Sequence, residues 1–272
     1  MRNPADLIDD PRAVTLAVTS LLAGALWVAT WSTMGQMDMG AMGMPMDGMA
    51  GGDMGSAADT MGGADWSLMT IWSTFVMWVL MMAAMMLPAM APVMAVYAGL
   101  AAREQRGLRL AARIGLFTAG YFLLWGAVSL ALAVLQLALR DSVYFSMGGT
   151  LASAPVAAGL LIAAGVYQFT PLKAACLQHC RHPLTFLLSH WREGIAGAFP
   201  IGLHHGAYCV GCCILFMGLM FVFGAMNVWW MAVIAAYFLA EKIAPKAESW
   251  SRLTGAALIV VGLGLAAQQT FA

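Results

Sequence analysis

Residues 66–99 read WSLMTIWSTFVMWVLMMAAMMLPAMAPVMAVYAG and contain no charged side chain. Roughly 20 helical residues cross a bilayer core about 30 Å thick, so this stretch is long enough to span a membrane. The rest of the chain has the same character, because 62% of its 272 residues are hydrophobic, 10% are charged and the mean hydropathy is +0.80. Soluble domains carry roughly 25% charged residues. The composition therefore predicts an all-α polytopic protein embedded in a lipid bilayer.

Seven apolar stretches of the chain are candidates for membrane-spanning helices. They lie at about 13–31, 66–99, 114–139, 151–170, 197–223, 228–242 and 253–270. Cytoplasmic loops carry an excess of Lys and Arg. With the N-terminus inside, every Lys and Arg except Arg140 falls in an inner segment. We therefore expect a bundle of about seven transmembrane helices with the N-terminus inside and the C-terminus outside.

The segment between the first two apolar stretches is rich in methionine, glycine and aspartate. Met34–Gly63 reads MGQMDMGAMGMPMDGMAGGDMGSAADTMGG, a low-complexity composition typical of disorder. Thioether sulfur is a soft donor that suits Cu(I), so this outer segment is predicted to collect Cu(I); a flexible tether is the alternative. The predicted organisation is an N-terminal segment and first helix at 1–33, a Met-rich disordered extracytoplasmic loop at 34–65, and a six-helix membrane domain at 66–272.

All five cysteines and all five histidines of the chain lie between Cys176 and Cys213. Chance would scatter them, so the clustering indicates a metal site or a redox site. Thiolate and imidazole are ligands that transition metals prefer in proteins. The candidate ligands are Cys176, His179, Cys180, His204, His205, Cys209, Cys212 and Cys213. His182 and His190 are expected to be interfacial polar residues.

The fifth apolar stretch carries the sharpest pattern in this window. His205, Cys209 and either Cys212 or Cys213 are spaced i, i+4 and i+7 or i+8, so their side chains share one helix face. Met217 continues that face. Ionisable groups inside a membrane are costly and usually functional. The spacing therefore predicts a metal-ligating helix face within the bilayer.

The cytoplasmic loop after the fourth stretch supplies a second group of ligands. A short helix there places Cys176, His179 and Cys180 on one side, at i, i+3 and i+4. Two thiols and an imidazole can chelate one ion, with a fourth ligand supplied by His205 or Cys209.

The second apolar stretch carries methionines at helical spacing. Positions four apart lie on one helix face, and two such rows run side by side: Met77, Met81 and Met85, and Met82, Met86, Met90 and Met94. The rows are interpreted either as soft donors for Cu(I) or as ordinary apolar packing. Met81 and Met85 are the candidate ligands here. Pro88 and Pro92 are expected to kink the helix.

Glu241 and Lys242 stand at the inner end of the sixth stretch. Their expected role is an ion pair at the membrane interface, with proton coupling as the alternative. Lys173 is expected to be a positive anchor on the inner side. No nucleophilic triad or phosphate-binding loop is visible in the sequence, which leaves a hydrolase or a nucleotide-driven pump without support. The net charge of zero gives no indication of a nucleic-acid partner.

Three segments of the chain carry a resemblance to a known family. They are Tyr167–Pro183, which reads YQFTPLKAACLQHCRHP; Met81–Pro88, which reads MMAAMMLP; and His205–Cys213, which reads HGAYCVGCC and is followed by Glu241 and Lys242. Over roughly 66–245 the chain is similar to an uncharacterised prokaryotic family of predicted metal-binding integral membrane proteins, classed as a domain of unknown function. Ile214 stands where that family has tryptophan. The resemblance implies metal binding but no particular reaction. The expected location is the bacterial cytoplasmic membrane.

These features predict an integral membrane protein that binds a soft transition metal, with Cu(I) preferred to zinc or another transition metal. Its expected role is transport across the membrane or delivery to a copper enzyme. Its expected partners are the lipid bilayer, the metal ion, and a metallochaperone or a copper enzyme. The alternative is a membrane-bound metalloenzyme or a thiol redox protein that uses the Cys/His cluster. An enzyme is the less favoured class. A redox protein is expected to form a reversible disulfide from Cys212 and Cys213 or from Cys176 and Cys180, whereas a Cu(I) carrier needs all of these thiols reduced.

Deleting residues 34–61 tests the outer segment. We expect Cu(I) capture to weaken at low external copper, because the thioethers no longer concentrate the ion, while the intramembrane site still fills at high copper. Copper uptake by cells expressing each protein, measured over a range of external copper, checks this. Equal uptake at every concentration would reduce the segment to a tether.

Overall fold

The structure is a computed structural model that describes residues 10–42, 67–140, 153–224 and 227–271. Within these ranges every regular element is a helix, as the composition predicts. The helices are α1 Pro11–Met42, α2 Leu68–Ala101, α3 Gly107–Arg140, α4 Ala154–Tyr167, α5 Pro171–Arg181, α6 Pro183–Ser189, α7 Ala198–Gly218, α8 Met220–Phe223, α9 Val228–Ile243 and α10 Ala247–Phe271.

Five helical segments are long and apolar enough to cross a membrane. They are Pro11–Ser32, Leu68–Ala101, Gly107–Leu139, Ala198–Phe223 and Ala247–Gln268. A sixth candidate combines α4 with α5, which meet at a bend of 64°. The described part of the chain therefore holds five or six candidate spans rather than the seven predicted. The predicted span 228–242 falls on α9, and its 16 residues are fewer than the roughly 20 needed to cross a bilayer.

The first helix is longer than the sequence predicts. Helix α1 continues to Met42, so residues 34–42 of the Met-rich segment are helical where the composition predicts disorder. Methionine, glutamine and alanine are good helix formers, and extending a helix costs less than starting one. The rest of that segment, residues 43–63, lies outside the described residues.

Helix α2 lies at the centre of the bundle, packed against α1, α3, α6 and α9. Its start is capped by Ser67, whose hydroxyl accepts a hydrogen bond from the backbone N–H of Thr70 at 3.1 Å. Most residues between Met81 and Met94 are buried, and the helix continues through both of its prolines. A helix that is apolar on every side is suited to such a position. Both methionine rows therefore lie largely in the protein interior.

Helices α3 and α7 approach each other closely because glycines lie where they cross. A Cβ atom added at Gly202 would overlap the backbone of Phe117, and one added at Gly120 would overlap the backbone of Phe199. Small residues at such crossings let the backbones of membrane helices come together. This packing fixes the rotation of α7 and hence the direction of its cysteines.

An ion pair is buried where α5, α9 and α10 meet. Lys173 Nζ lies 2.5 Å from Glu241 Oε1, and both side chains are buried. Glu241 also accepts hydrogen bonds from the hydroxyls of Tyr237 and Ser251. Lys173 is therefore not the surface anchor that the charge pattern predicts. The ion-pair partner of Glu241 is Lys173 and not Lys242.

A second ion pair ties the α2–α3 loop to the segment that precedes α7. Arg113 Nη1 lies 2.5 Å from Glu104 Oε2, and Arg113 Nη2 donates to the carbonyl of Arg192 at 2.9 Å. The guanidinium also lies over the ring of Trp191. Its hydrogen bond to the carboxylate lowers the pKa of Glu104 below the ordinary value. These contacts hold the N-terminal approach to α7 against α3.

Removing either partner of the buried Lys173–Glu241 pair should destabilise the fold. We expect Lys173→Met and Glu241→Gln each to lower the free energy of unfolding by roughly 3–5 kcal/mol, because the remaining charge is left buried and unpaired. The double variant Lys173→Met, Glu241→Met is expected to cost less than either single change. Thermal unfolding in detergent measures this, with Lys246→Met as the control at an exposed lysine. A double variant less stable than both single variants would contradict the expectation.

Candidate metal centre

Helix α7 carries three buried cysteines within little more than one turn. The thiols of Cys212 and Cys213 donate to the carbonyl of Cys209, with sulfur–oxygen distances of 3.1 and 2.8 Å. Thiols commonly donate in this way to a carbonyl one turn earlier in a helix. The backbone of α7 thereby sets the relative positions of its three sulfur atoms.

Helix α5 brings a fourth cysteine, Cys180, to this group. The Sγ atoms of Cys180, Cys209 and Cys212 all lie within 4.8 Å of one another, and all three side chains are buried. We refer to these three residues as the thiol triad. An ion at its centre would bridge α5 and α7 through sulfur alone, which is a donor set that suits Cu(I) and also Zn(II).

The close approach of α5 to α7 depends on Gly211. A Cβ atom at this position would lie 2.7 Å from Cys176 Sγ, so a larger residue would require the Cys176 side chain to move. Tyr167, at the end of α4, donates its hydroxyl hydrogen bond to the carbonyl of Gly211. The bent α4–α5 pair is thus attached to α7 beside the triad. The Cys176 side chain packs against Gly211 and lies outside the triad.

Three further side chains surround Cys209. The Tyr121 hydroxyl lies 3.1 Å from Cys209 Sγ, and Lys242 Nζ donates to the same sulfur at 3.2 Å. Met86 Sδ lies 4.0 Å from it. Lys242 makes no ion pair with a carboxylate among the described residues, where the ion pairs of Glu104 and Glu241 are made with Arg113 and Lys173. Its positive charge is therefore directed at the sulfur atoms.

Sequence reasoning missed this role of Lys242. It treats the neighbouring Glu241 and Lys242 as one interfacial pair, but successive residues of a helix point about 100° apart. The carboxylate therefore reaches Lys173 while the ammonium reaches Cys209. Nothing in the sequence distinguishes Tyr121, because many aromatic residues lie in the apolar stretches.

His205 is buried one turn before Cys209, at the position that the spacing predicts. Both of its ring nitrogens lack a hydrogen-bond partner within the described part of the chain. The rings of Phe117, Tyr121 and Phe186 surround it at centroid distances of 6.2, 5.6 and 5.6 Å. Burying an unpaired polar group costs free energy, so His205 is a donor held near the triad without being one of its members.

The other predicted histidines lie away from the triad. His179 stacks on Tyr208 at a centroid distance of 4.0 Å, and its Nδ1 lies 2.8 Å from the carbonyl of Ala175. His204 is exposed, with its ring 5.6 Å from that of His190. The helix at 171–181 forms as predicted, but its cysteines are buried while His179 lies half-buried at its side. The structure therefore does not group these histidines with the three sulfurs.

The predicted methionine ligands are placed in the core. Met81, Met85 and Met217 are all buried. The methionine in sulfur contact with Cys209 is instead Met86, which belongs to the second of the two rows in α2. The sequence displays both rows, but it does not indicate which of them faces α7.

The fold and the triad together define a helical protein of membrane character with a buried cluster of three thiols that is able to hold a metal ion. Residues 75–265, well over half of the chain, match the model of a family described as copper chaperone, PpoB2. The chain therefore belongs to this family. No curated protein and no solved structure matches it.

Substituting the triad cysteines tests the centre directly. We expect protein purified anaerobically with Cu(I) to retain the metal, and Cys180→Ser, Cys209→Ser and Cys212→Ser each to lose it, because a serine hydroxyl is a poor ligand for a soft ion. Cys213→Ser, one residue from the triad on the same helix, is the matched control and should keep its copper. Metal analysis after gel filtration measures the content. Copper retained at the wild-type level by all three triad variants would rule out this centre.

Proposed function

We propose that this protein binds Cu(I) through Cys180, Cys209 and Cys212 within the membrane and passes it across the bilayer or to a copper enzyme. The observation that carries the proposal is the meeting of three buried thiol sulfurs within 4.8 Å on two helices. The copper chaperone family supports the choice of metal.

Cu(I) fits this donor set better than zinc does. The group formed by the described residues offers three thiols and no carboxylate or imidazole. Soft sulfur ligands favour Cu(I), and the Lys242 ammonium 3.2 Å from Cys209 Sγ offsets part of the negative charge that thiolates bring into apolar surroundings.

The proposed orientation places the N-terminus in the cytoplasm and the C-terminus outside, in the bacterial cytoplasmic membrane. Helix α5 and the first turns of α7 then belong to the inner side, where a reducing cytosol keeps thiols free. All five cysteines are free in the structure, in agreement with that environment. The Met-rich segment 34–65 lies on the opposite side in this proposal and supplies copper from outside.

Copper movement in sealed vesicles tests the proposal. Wild-type protein reconstituted in phosphatidylethanolamine and phosphatidylglycerol vesicles is expected to move Cu(I) into vesicles that contain a Cu(I) chelator, with Cys209→Ser inactive and Cys213→Ser active. A protein that holds copper without flux is expected to hand it to a soluble apo copper protein, which identifies delivery as the role.

Two results would contradict the proposal. One is loaded wild-type protein that neither conducts copper nor transfers it to an acceptor. The other is a reversible disulfide among the triad cysteines, found by mass spectrometry in protein kept in reducing cells, because a bridged pair cannot ligate Cu(I). That second result would favour the thiol redox protein.

A further inference from the structure

We propose that Met86 is a further ligand of the copper site, so that the ion is held by the thiol triad together with one thioether. The inference rests on the proposed function, because it assigns a donor to the same centre. It replaces Met81 and Met85, which the sequence favours, with a methionine from the neighbouring row of α2.

The distance between the two sulfur atoms fits shared coordination. Two sulfurs that each lie about 2.3 Å from one metal, with about 110–120° between the bonds, are about 3.8–4.0 Å apart. Met86 Sδ and Cys209 Sγ are separated by 4.0 Å. The three thiol sulfurs lie within 4.8 Å of one another, and Met86 adds a fourth sulfur beside Cys209.

The position of Met86 is fixed by its burial and by the helix that carries it. Its side chain is fully buried and α2 is a continuous helix on both sides of it. A thioether needs no deprotonation to bind a soft metal, unlike a thiol. The position next to Cys209 is thus occupied by a donor that is already in its binding form.

The charge of the site explains why a thioether suits this position better than another cysteine. Each thiolate brings a full negative charge into apolar surroundings, and Lys242 is the cation in contact with Cys209. A further thiolate would add an uncompensated charge, which is expensive to bury. A neutral sulfur raises the number of soft donors without that cost.

The same residue connects the centre to the rest of its row. Met82 and Met90 lie four residues before and after Met86, on the same face of α2, and both are buried. Thioether sulfur therefore continues from the copper site along α2 in both directions. Met86 is the member of that row that contacts a triad cysteine.

X-ray absorption on selenomethionine-labelled protein tests the ligand. Wild-type protein loaded anaerobically with substoichiometric Cu(I), so that the thiolate site and not the Met-rich segment holds the ion, is expected to show a selenium atom in the first coordination shell of copper, beside sulfur. Met86→Leu, which nearly conserves volume, should lose the selenium neighbour and bind Cu(I) roughly tenfold more weakly in competition with a chromogenic chelator. Met85→Leu is the matched control, since this buried residue points about 100° away around the helix, and it should keep both properties.

The results of this experiment distinguish a failure of the Met86 assignment from a failure of the proposed function. Wild-type copper surrounded by sulfur alone overturns the role of Met86 and leaves the triad intact, whereas wild-type protein that retains no copper overturns the proposed function. A selenium neighbour that persists in Met86→Leu also rejects Met86, because another methionine then supplies it. Should Met86→Leu fail to fold, Met82→Leu and Met90→Leu decide, since loss of the selenium neighbour in either would contradict the assignment.

Discussion

The buried ion pair between Lys173 and Glu241 fixes the arrangement on which the candidate metal centre depends. Lys173 also donates to Gln168, at the bend between α4 and α5, while Glu241 also accepts from Ser251 on α10. The pair therefore joins the bent unit to two other helices at one point. Breaking one side would leave a charge in apolar surroundings, so the bend is strongly specified. Both Cys180 on α5 and Lys242 on α9 take their positions from this junction.

The positions of the three triad sulfurs are set by helix geometry within α7 and by the packing of α5 against α7. Cys209 and Cys212 share one turn of α7, so the distance between them is set by helix geometry. Cys180 reaches them from α5, which packs against α7 at Gly211 through Cys176. Metal binding at such a site is coupled to the packing of the elements that carry the ligands. A copper ion held by the triad would therefore stabilise the contact between α5 and α7.

The sequence was sufficient for the features that depend on local pattern. Composition gives the helical membrane class, and the spacing of His205, Cys209 and Cys212 gives one face of α7. Features that depend on how helices rotate against one another were not accessible. Both methionine rows of α2 satisfy the same periodicity, and only the packing brings Met86 and not Met85 to Cys209. The predicted span at 228–242 is not confirmed for a different reason, since α9 is apolar but only 16 residues long.

Lys173 and Lys242 have different partners in this bundle and therefore different roles. Lys173 has a carboxylate partner at 2.5 Å, so its charge is neutralised within the protein and contributes to the fold alone. Lys242 has sulfur as its partner at 3.2 Å, and metal binding holds the cysteines in their charged thiolate form. The ammonium is thus better compensated in the loaded site than beside neutral thiols. A lysine placed in this way favours a cationic ligand bound through thiolates, because the thiolates and not the metal are its nearest neighbours.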